Sequence, residues 1–295
     1  MTPPRRWSRP GIAAGAGAGD AFVANVRAAL RQIGANAAGA AEGRNPECLH
    51  QLRVGLRRLR STLRAFRTLL RRRKSAEFDR HLREILRALG AARDWDVFRR
   101  SRRDSDLVLA ARRKSAPARR RARDMLRSAF FQSAPRGVLA WAKTAPWRAG
   151  ADPGEPLAAF ARRALRRLQD SLREDAKAVD WHDAAQRHKV RVKVKRLRYG
   201  CECFVPAFQK HRTRPYLKRL RKLQQILGEM NDITVQRALL RELAHDTRLR
   251  RPAAALRADL AARERELNGE AARAWVAVES MKPFWRRAAA DRVRG

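Results

Sequence analysis

The chain has 295 residues, with 69 Lys and Arg against 29 Asp and Glu, a formal net charge of +40. Apolar residues make up 44%, enough to bury a core, which excludes wholesale disorder; the surplus positive charge attracts polyanions at low salt. Three cysteines (Cys48, Cys201, Cys203) without a CxxC pair argue against a disulfide framework and structural zinc, and no apolar run approaches the roughly 18 residues of a membrane span, so a reducing, cytoplasmic compartment is expected.

Residues 1–19 carry Arg5 and Arg6, then Pro10, Gly11 and an Ala/Gly tract. That tract is too weakly hydrophobic for a signal-peptide core, and it lacks the spacing and preceding strand of a dinucleotide loop. It reads as a flexible tail. Beyond it helix formers dominate and period-two strand patterns are missing, which predicts an all-α fold.

The first helical half spans 20–145. On a helix starting near His50, Leu52, Leu56, Leu59, Leu63, Phe66 and Leu70 share one stripe, the predicted core face. Beside it run His50, Arg53, Arg57, Arg60, Arg64, Arg67 and Arg71, with no acidic residue from His50 to Ala76. A further helix, before Leu89-Gly90, sets Arg80, Arg83 and Arg87 opposite Leu82, Leu86 and Leu89. Residues 146–156, rich in Pro and Gly, read as a linker.

The second half spans 157–295. Val190, Val194, Leu197, Cys201, Phe204 and Phe208 form an apolar stripe beside His188, Arg191, Lys195 and Arg198. Glu202 interrupts that basic row and is expected to pair with a neighbouring Arg. Lys218, Arg221 and Lys222 then lie opposite Leu220, Leu223 and Leu227.

The halves repeat one pattern. Seven of the seventeen residues from His50 to Phe66 recur, 138 positions later, from His188 to Phe204. Leu82-Arg83, Leu89-Gly90, Asp94 and Val97 recur at the same offset as Leu220-Arg221, Leu227-Gly228, Asp232 and Val235; Phe22 and Leu30 match Phe160 and Leu168. A constant offset over separate segments argues for internal duplication. The expected architecture is two similar four-helix-bundle-like halves related by pseudo-two-fold symmetry, with the basic stripes merging into one groove or channel between them.

A solvated helix face usually mixes charge signs, since like charges four apart destabilise by a few tenths of a kcal/mol. Unmixed basic rows at matching positions in both halves point instead to an anionic ligand. From His50 to Arg64 the row rises about 21 Å, suited to a linear anion, and the planar fork of Arg takes two phosphate oxygens at once.

The motifs His50-x-x-Arg53-Val54-x-x-Arg57-Arg58-Leu59-Arg60 and His188-x-x-Arg191-Val192-x-x-Lys195-Arg196-Leu197-Arg198-Tyr199 resemble the CHAD domain, a helical family named for its conserved histidines. Leu89-Gly90-x-x-Arg93-Asp94-x-Asp96-Val97 and Leu227-Gly228-x-x-Asn231-Asp232-x-x-Val235 also fit. The resemblance covers nearly the whole chain after the tail. It implies a duplicated helical-bundle fold, binding of inorganic polyphosphate on a basic central surface, and association with polyphosphate granules. Some members are fused to a triphosphate tunnel enzyme; nothing here resembles that β-rich domain, so a stand-alone binder is expected. The expected polyphosphate contacts are His50, Arg53, Arg57, Arg60, Arg64, Arg80, Arg83, His188, Arg191, Lys195, Arg198, Lys218, Arg221 and Lys222.

No catalytic residue, metal, cofactor or required protein partner is expected. GxxxxGK[ST], GxSxG and HExxH motifs are missing, and no second His stands three or four residues from His50 or His188. His81, His182, His211 and His245 read as surface residues, and Trp181, Trp275 and Trp285 as packing. Asp94 and Asp232 read as N-caps after Leu-Gly, with orientation of basic residues as the alternative. Two rival functions stay open. One is a non-specific nucleic-acid binder, although the basic stripes carry no aromatic residues for base stacking. The other is an enzyme of polyphosphate metabolism.

Overall fold

A computed structural model describes residues 3–286 apart from 14, 44, 101–103 and 244–245. Among the described residues there are eleven α-helices and no strand: α1 (Ala18–Glu42), α2 (Pro46–Ala65), α3 (Arg72–Ala88), α4 (Gly90–Arg100), α5 (Ser105–Lys114), α6 (Ala116–Arg127), α7 (Ala129–Lys143), α8 (Leu157–Ala176), α9 (Ala184–Phe204), α10 (Lys210–Leu243) and α11 (Arg250–Glu279). The fold is all-α, as the patterning predicts. None of the described helices is long and apolar enough to cross a membrane.

Local chemistry starts the two basic helices alike. Asn45 caps α2 by accepting from the Glu47 N–H at 2.9 Å, and Pro46 occupies the first turn, where its missing N–H costs nothing. Asp183, which takes the place of Asn45 at the repeat offset, caps α9 by accepting from the Ala185 and Gln186 N–H groups. The buried stripes then follow the sequence reading. Leu52, Leu56, Leu59, Leu63, Phe66 and Leu70 are all buried, as are Val190, Val194, Leu197, Cys201 and Phe204. Phe208 differs: α9 ends at Phe204, and Phe208 lies half-buried beyond it, its ring edge-on to Phe284 at 5.1 Å.

The basic stripe is also shorter than expected. Helix α2 stops at Ala65, so Arg67 and Arg71 leave the row; Arg71 is exposed and its Nε donates to the Trp147 carbonyl at 3.2 Å. Helix number differs between the halves as well. The first half carries seven described helices rather than about four: the chain breaks at Leu89 between α3 and α4 and again between α5, α6 and α7, whereas α10 runs unbroken through Leu227-Gly228.

Two compact units emerge, and they interleave in sequence. The first comprises the chain up to Gly11, Phe22–Ala151 and Asp232–Ala262; the second comprises Ile12–Ala21, Asp152–Asn231 and the chain from Arg263 onward. The ends of α10 and α11 thus divide between units, where the sequence reading placed both helices wholly within 157–295. In the first unit Phe22 packs on Phe66 at 5.6 Å and on Trp147 at 6.0 Å. In the second, Phe160 packs on Phe204 at 6.0 Å, while Tyr216 and Phe284 flank Trp285.

The segment read as a flexible tail is tied down. The Arg5 N–H donates to Asn36 Oδ1 at 3.1 Å and the Arg5 carbonyl accepts from Asn36 Nδ2 at 2.9 Å; Arg58 lies over the Trp7 ring at 4.2 Å. The linker is anchored too. Arg71 N–H donates to the Pro146 carbonyl, Arg148 N–H to that of Leu69, and Ala18 N–H to that of Glu155. All three cysteines are free and buried.

Gly55 sets how closely α2 approaches α1. A Cβ there would stand 2.9 Å from Ile33 Cγ1, 3.3 Å from the Ile33 backbone nitrogen and 3.4 Å from the Ala29 carbonyl oxygen. On an exposed helix Gly→Leu would gain up to about 1 kcal/mol from propensity. Here Gly55→Leu is expected to lose about 1–3 kcal/mol through overpacking, measured as a lower urea midpoint with unchanged slope.

Candidate functional site

The basic residues of the first unit gather into two clusters. At the start of α2, His50, Arg53 and Arg57 meet Arg93 and Asp94 of α4. Arg53 is buried, and its Nη1 donates to the Leu86 carbonyl at 2.8 Å. Burial, then the charge of Arg57, pushes the Arg53 guanidinium down to about 9, so it remains a cation at pH 7. Burial, with Arg93 next, likewise lowers His50 from its ordinary value. Burial also lowers Arg93, and its Nη1 is buried with no hydrogen-bond acceptor among the described residues.

The second cluster centres on a carboxylate that the sequence reading missed. Asp79, on α3, accepts from Arg60 Nε at 2.9 Å, Arg64 Nη2 at 3.1 Å and Arg83 Nη2 at 2.8 Å. Burial alone would raise this carboxyl, but the hydrogen bonds from Arg60 and Arg83 outweigh it and hold Asp79 well below the usual carboxylate range. Its place four residues before Arg83, an i,i+4 acid–base pair, was a readable signal.

Asp94 and Asp232 are not caps. Asp94 stands inside α4, which already starts at Gly90, and Asp232 is interior to the continuous α10. Burial raises the Asp94 carboxyl; Arg53 opposes the rise and Asp232 adds to it. Asp94 feels the charges of Arg53, Arg57 and Arg93, and Asp232 acts on Arg93.

In the second unit the basic residues lie on α9 and α10. Arg191 Nη2 stands 3.4 Å from His188 Nδ1, and Asn231 hydrogen-bonds the His188 ring. Burial, then the charges of Arg191 and Lys195, lowers His188. Arg93 and Asn231, which meet the two histidines, are themselves counterparts at the repeat offset. Further along α9, Arg198 Nη1 donates to Glu202 Oε1 at 2.6 Å and its Nε donates to Gln224. Glu202 thus pairs with a neighbouring Arg, as expected, and Arg221 brings its Nη2 to 3.7 Å from the same oxygen, within ion-pair but beyond hydrogen-bond reach.

Other expected contacts stand apart. Arg80 and Lys218 are exposed on α3 and α10. Lys222 points to the acidic side of α11, its Nζ 4.0 Å from Glu270, where Arg263 pairs with Glu229, Glu266 and Glu270. Of the remaining histidines, His81 packs edge-on to Phe130, His182 is exposed and accepts from Asn268, and His211 is exposed; His245 lies outside the described residues. Trp275 and Trp285 are buried, and the Trp181 carbonyl accepts from Arg187, itself paired with Glu264. Among the described residues no group of three His, Cys, Asp or Glu side chains could hold a metal ion.

Three comparisons bear on this geometry. The CHAD domain profile matches residues 24–241. The crystal structure of the CHAD domain from the plant Ricinus communis superposes with a TM-score of 0.83 at 30% identity, covering 96% of this chain and 98% of that one. PptA from Streptomyces chartreusis shares the fold, with a TM-score of 0.62 at 18% identity over 90% of this chain and 98% of that one. No curated protein matches in sequence.

Two arginines one turn apart on α2 differ in burial and should separate experimentally. Arg53→Ala orphans the Leu86 carbonyl and is expected to cost about 1–3 kcal/mol of stability. Arg57→Ala, half-buried on the same helix, should stay within about 0.5 kcal/mol, both read by urea denaturation.

Proposed function

Since the chain belongs to the CHAD domain family, we propose that it binds inorganic polyphosphate along the basic residues of α2–α3 and α9–α10, as a binder and not a catalyst. One observation carries this reading: guanidinium groups from two different helices turn toward a common point in each unit. Around Asp79 three arginines share one carboxylate, which leaves a local excess of positive charge. Phosphate oxygens answer that excess, and a chain of them answers the repetition along the helix.

By the same reading the protein is drawn to polyphosphate granules in the cytoplasm and needs no cofactor. Arg57, Arg60, Arg64, Arg191, Lys195 and Arg198 would supply the main contacts, with His50 and His188 flanking. Arg53 would add field rather than a free fork, because its Nη1 is spent on Leu86. Aspartates among the basic residues separate this surface from a uniform positive patch, which favours a ligand held by shape as well as charge.

The test is a titration with long-chain polyphosphate at physiological salt. Reversing Arg57, Arg64, Arg191 and Lys195 together to Glu should weaken binding at least about 100-fold, and the salt dependence should become shallower as fewer phosphates are neutralised. Unchanged affinity would overturn the reading. Displacement of polyphosphate by a DNA or RNA oligomer at the same salt would favour a nucleic-acid binder. Phosphate release dependent on His50, His188, Asp94 or Asp232 would make the protein an enzyme.

Binding should also depend on pH. In the free protein both histidines titrate below their ordinary value and are mostly neutral at pH 7. A bound phosphate chain favours the protonated ring, so binding takes up protons and tightens as pH falls from 8 to 5.5. Calorimetry in buffers of differing ionisation enthalpy measures that uptake, and His50→Gln with His188→Gln should flatten it. Stability of the free protein runs the other way. The unfolded chain takes the proton first, so the contribution of a neutral ring is present above about pH 6.5 and lost below it.

A further inference from the structure

We propose that Asp79 and Glu202 are positioning residues for anion binding: each holds a matched pair of arginine forks in place, and removing its negative charge weakens the grip on a phosphate chain. This deepens the polyphosphate reading and rests on it. At the repeat offset, Arg60 and Arg83 of the first unit correspond to Arg198 and Arg221 of the second. Arg60 and Arg83 meet at Asp79, and Arg198 and Arg221 meet at Glu202.

The bridging acids themselves do not match. Asp79 belongs to α3, and its counterpart at the same offset is Leu217, a buried core residue of α10. Glu202 belongs to α9, and its counterpart in the first unit is Arg64 of α2. The acid thus stands on opposite helices of the pair in the two units, yet it joins the same two arginines. What the units share is an Arg–carboxylate–Arg bridge between neighbouring helices, reached by different residues.

Both acids are well placed to act through the arginines rather than on the ligand. The Asp79 side chain is 14% exposed and that of Glu202 9%, whereas Arg83 and Arg221 are 53% and 52% exposed. The carboxylate and its inner arginine, Arg60 or Arg198, are shielded, and the outer arginine reaches solvent. Arg83 spends one Nη on its acid as a hydrogen bond, Arg221 stands in a looser ion pair at 3.7 Å, and both keep further donors for a ligand. A fork already ordered loses less side-chain entropy when phosphate arrives. Arg198 is further fixed by Gln224 and by its stacking over Tyr199 at 4.2 Å.

Electrostatics alone makes the opposite forecast, because neutralising an acid near an anion site raises the local positive charge. The decisive variants are Asp79→Asn and Glu202→Gln, titrated with long-chain polyphosphate and with tripolyphosphate. Asp170→Asn, an exposed site on α8, makes the same change of charge as a control. Each keystone variant is expected to bind about tenfold more weakly, and Asp79→Glu to recover part of the loss, while the control binds as well as wild type or better. Equal or tighter binding by both keystone variants overturns the proposal. Circular dichroism and urea midpoints show whether each variant folds; the two acids lie in different units, so each reports separately.

A second readout needs no ligand. In free wild-type protein the Arg60 and Arg198 Nε–H groups, bonded to Asp79 and Gln224, should exchange slowly with water by NMR. Asp79→Asn should speed exchange at Arg60 and leave Arg198 unchanged; unaltered exchange at Arg60 overturns the positioning role. If wild-type protein binds neither phosphate chain, the polyphosphate reading falls, while this exchange measurement still decides whether the carboxylate orders the fork.

Discussion

Like charges on neighbouring helices repel, and the repulsion grows as those helices pack. The chain answers with very few acids placed where they count. One carboxylate, Asp79, faces three guanidinium groups, and one more, Glu202, faces two. Each lies at the base of its cluster, partly shielded, where an ion pair is worth more than at an open surface. The neutralisation is incomplete. It lets α2 settle on α3 in one unit and ties α9 to α10 in the other, and it leaves surplus charge facing water. A surface balanced charge for charge would have no reason to seek a polyanion.

The apolar stripes give that balance its direction. With Leu52, Leu56, Leu59 and Leu63 sunk in the core, the neighbouring stripe of α2 must emerge at the shoulder of the bundle. Depth then grades the basic residues. Arg53 is engulfed and serves the backbone carbonyl of Leu86; Arg60 is half-buried on Asp79; Arg80 and Lys218 stand in solvent. The basic stripes read from the sequence therefore contain structural, bridging and solvent-exposed cations. Burial first, and the neighbouring cations after it, lower the two histidines at the rows' heads, which makes their charge responsive to an approaching anion.

Much of this was legible in the sequence, for identifiable reasons. The core stripes carry a 3.6-residue period, and the caps at Asn45 and Asp183 are local chemistry that needs no partner. The pairing of Glu202 was readable because its partner Arg198 lies one turn away on the same helix. Asp79 was harder: only Arg83 is local to it, while Arg60 and Arg64 arrive from another helix, and that meeting depends on packing. Asp94 and Asp232 were misread as caps because Leu-Gly looks like a helix end. At Leu89 the helix does end, but at Leu227 the same two letters sit inside the unbroken α10. Tertiary contacts, not the local signal, decide which outcome holds. The opening segment was misjudged for the converse reason. Its composition is that of a loose tail, yet Asn36 and Arg58 offer it specific partners.

The Pro- and Gly-rich stretch at 146–156 is where an engineer would cut the gene to obtain half a protein. The way the two compact units share the chain makes that a poor choice. A fragment ending at Ala151 would contain most of the first unit but none of Asp232–Ala262, which completes it, and would keep Ile12–Ala21, which belongs to the second. Neither product would inherit a whole interior. Fragment complementation, permuted termini and minimal-domain designs for this fold must therefore respect every point at which the chain passes from one unit to the other.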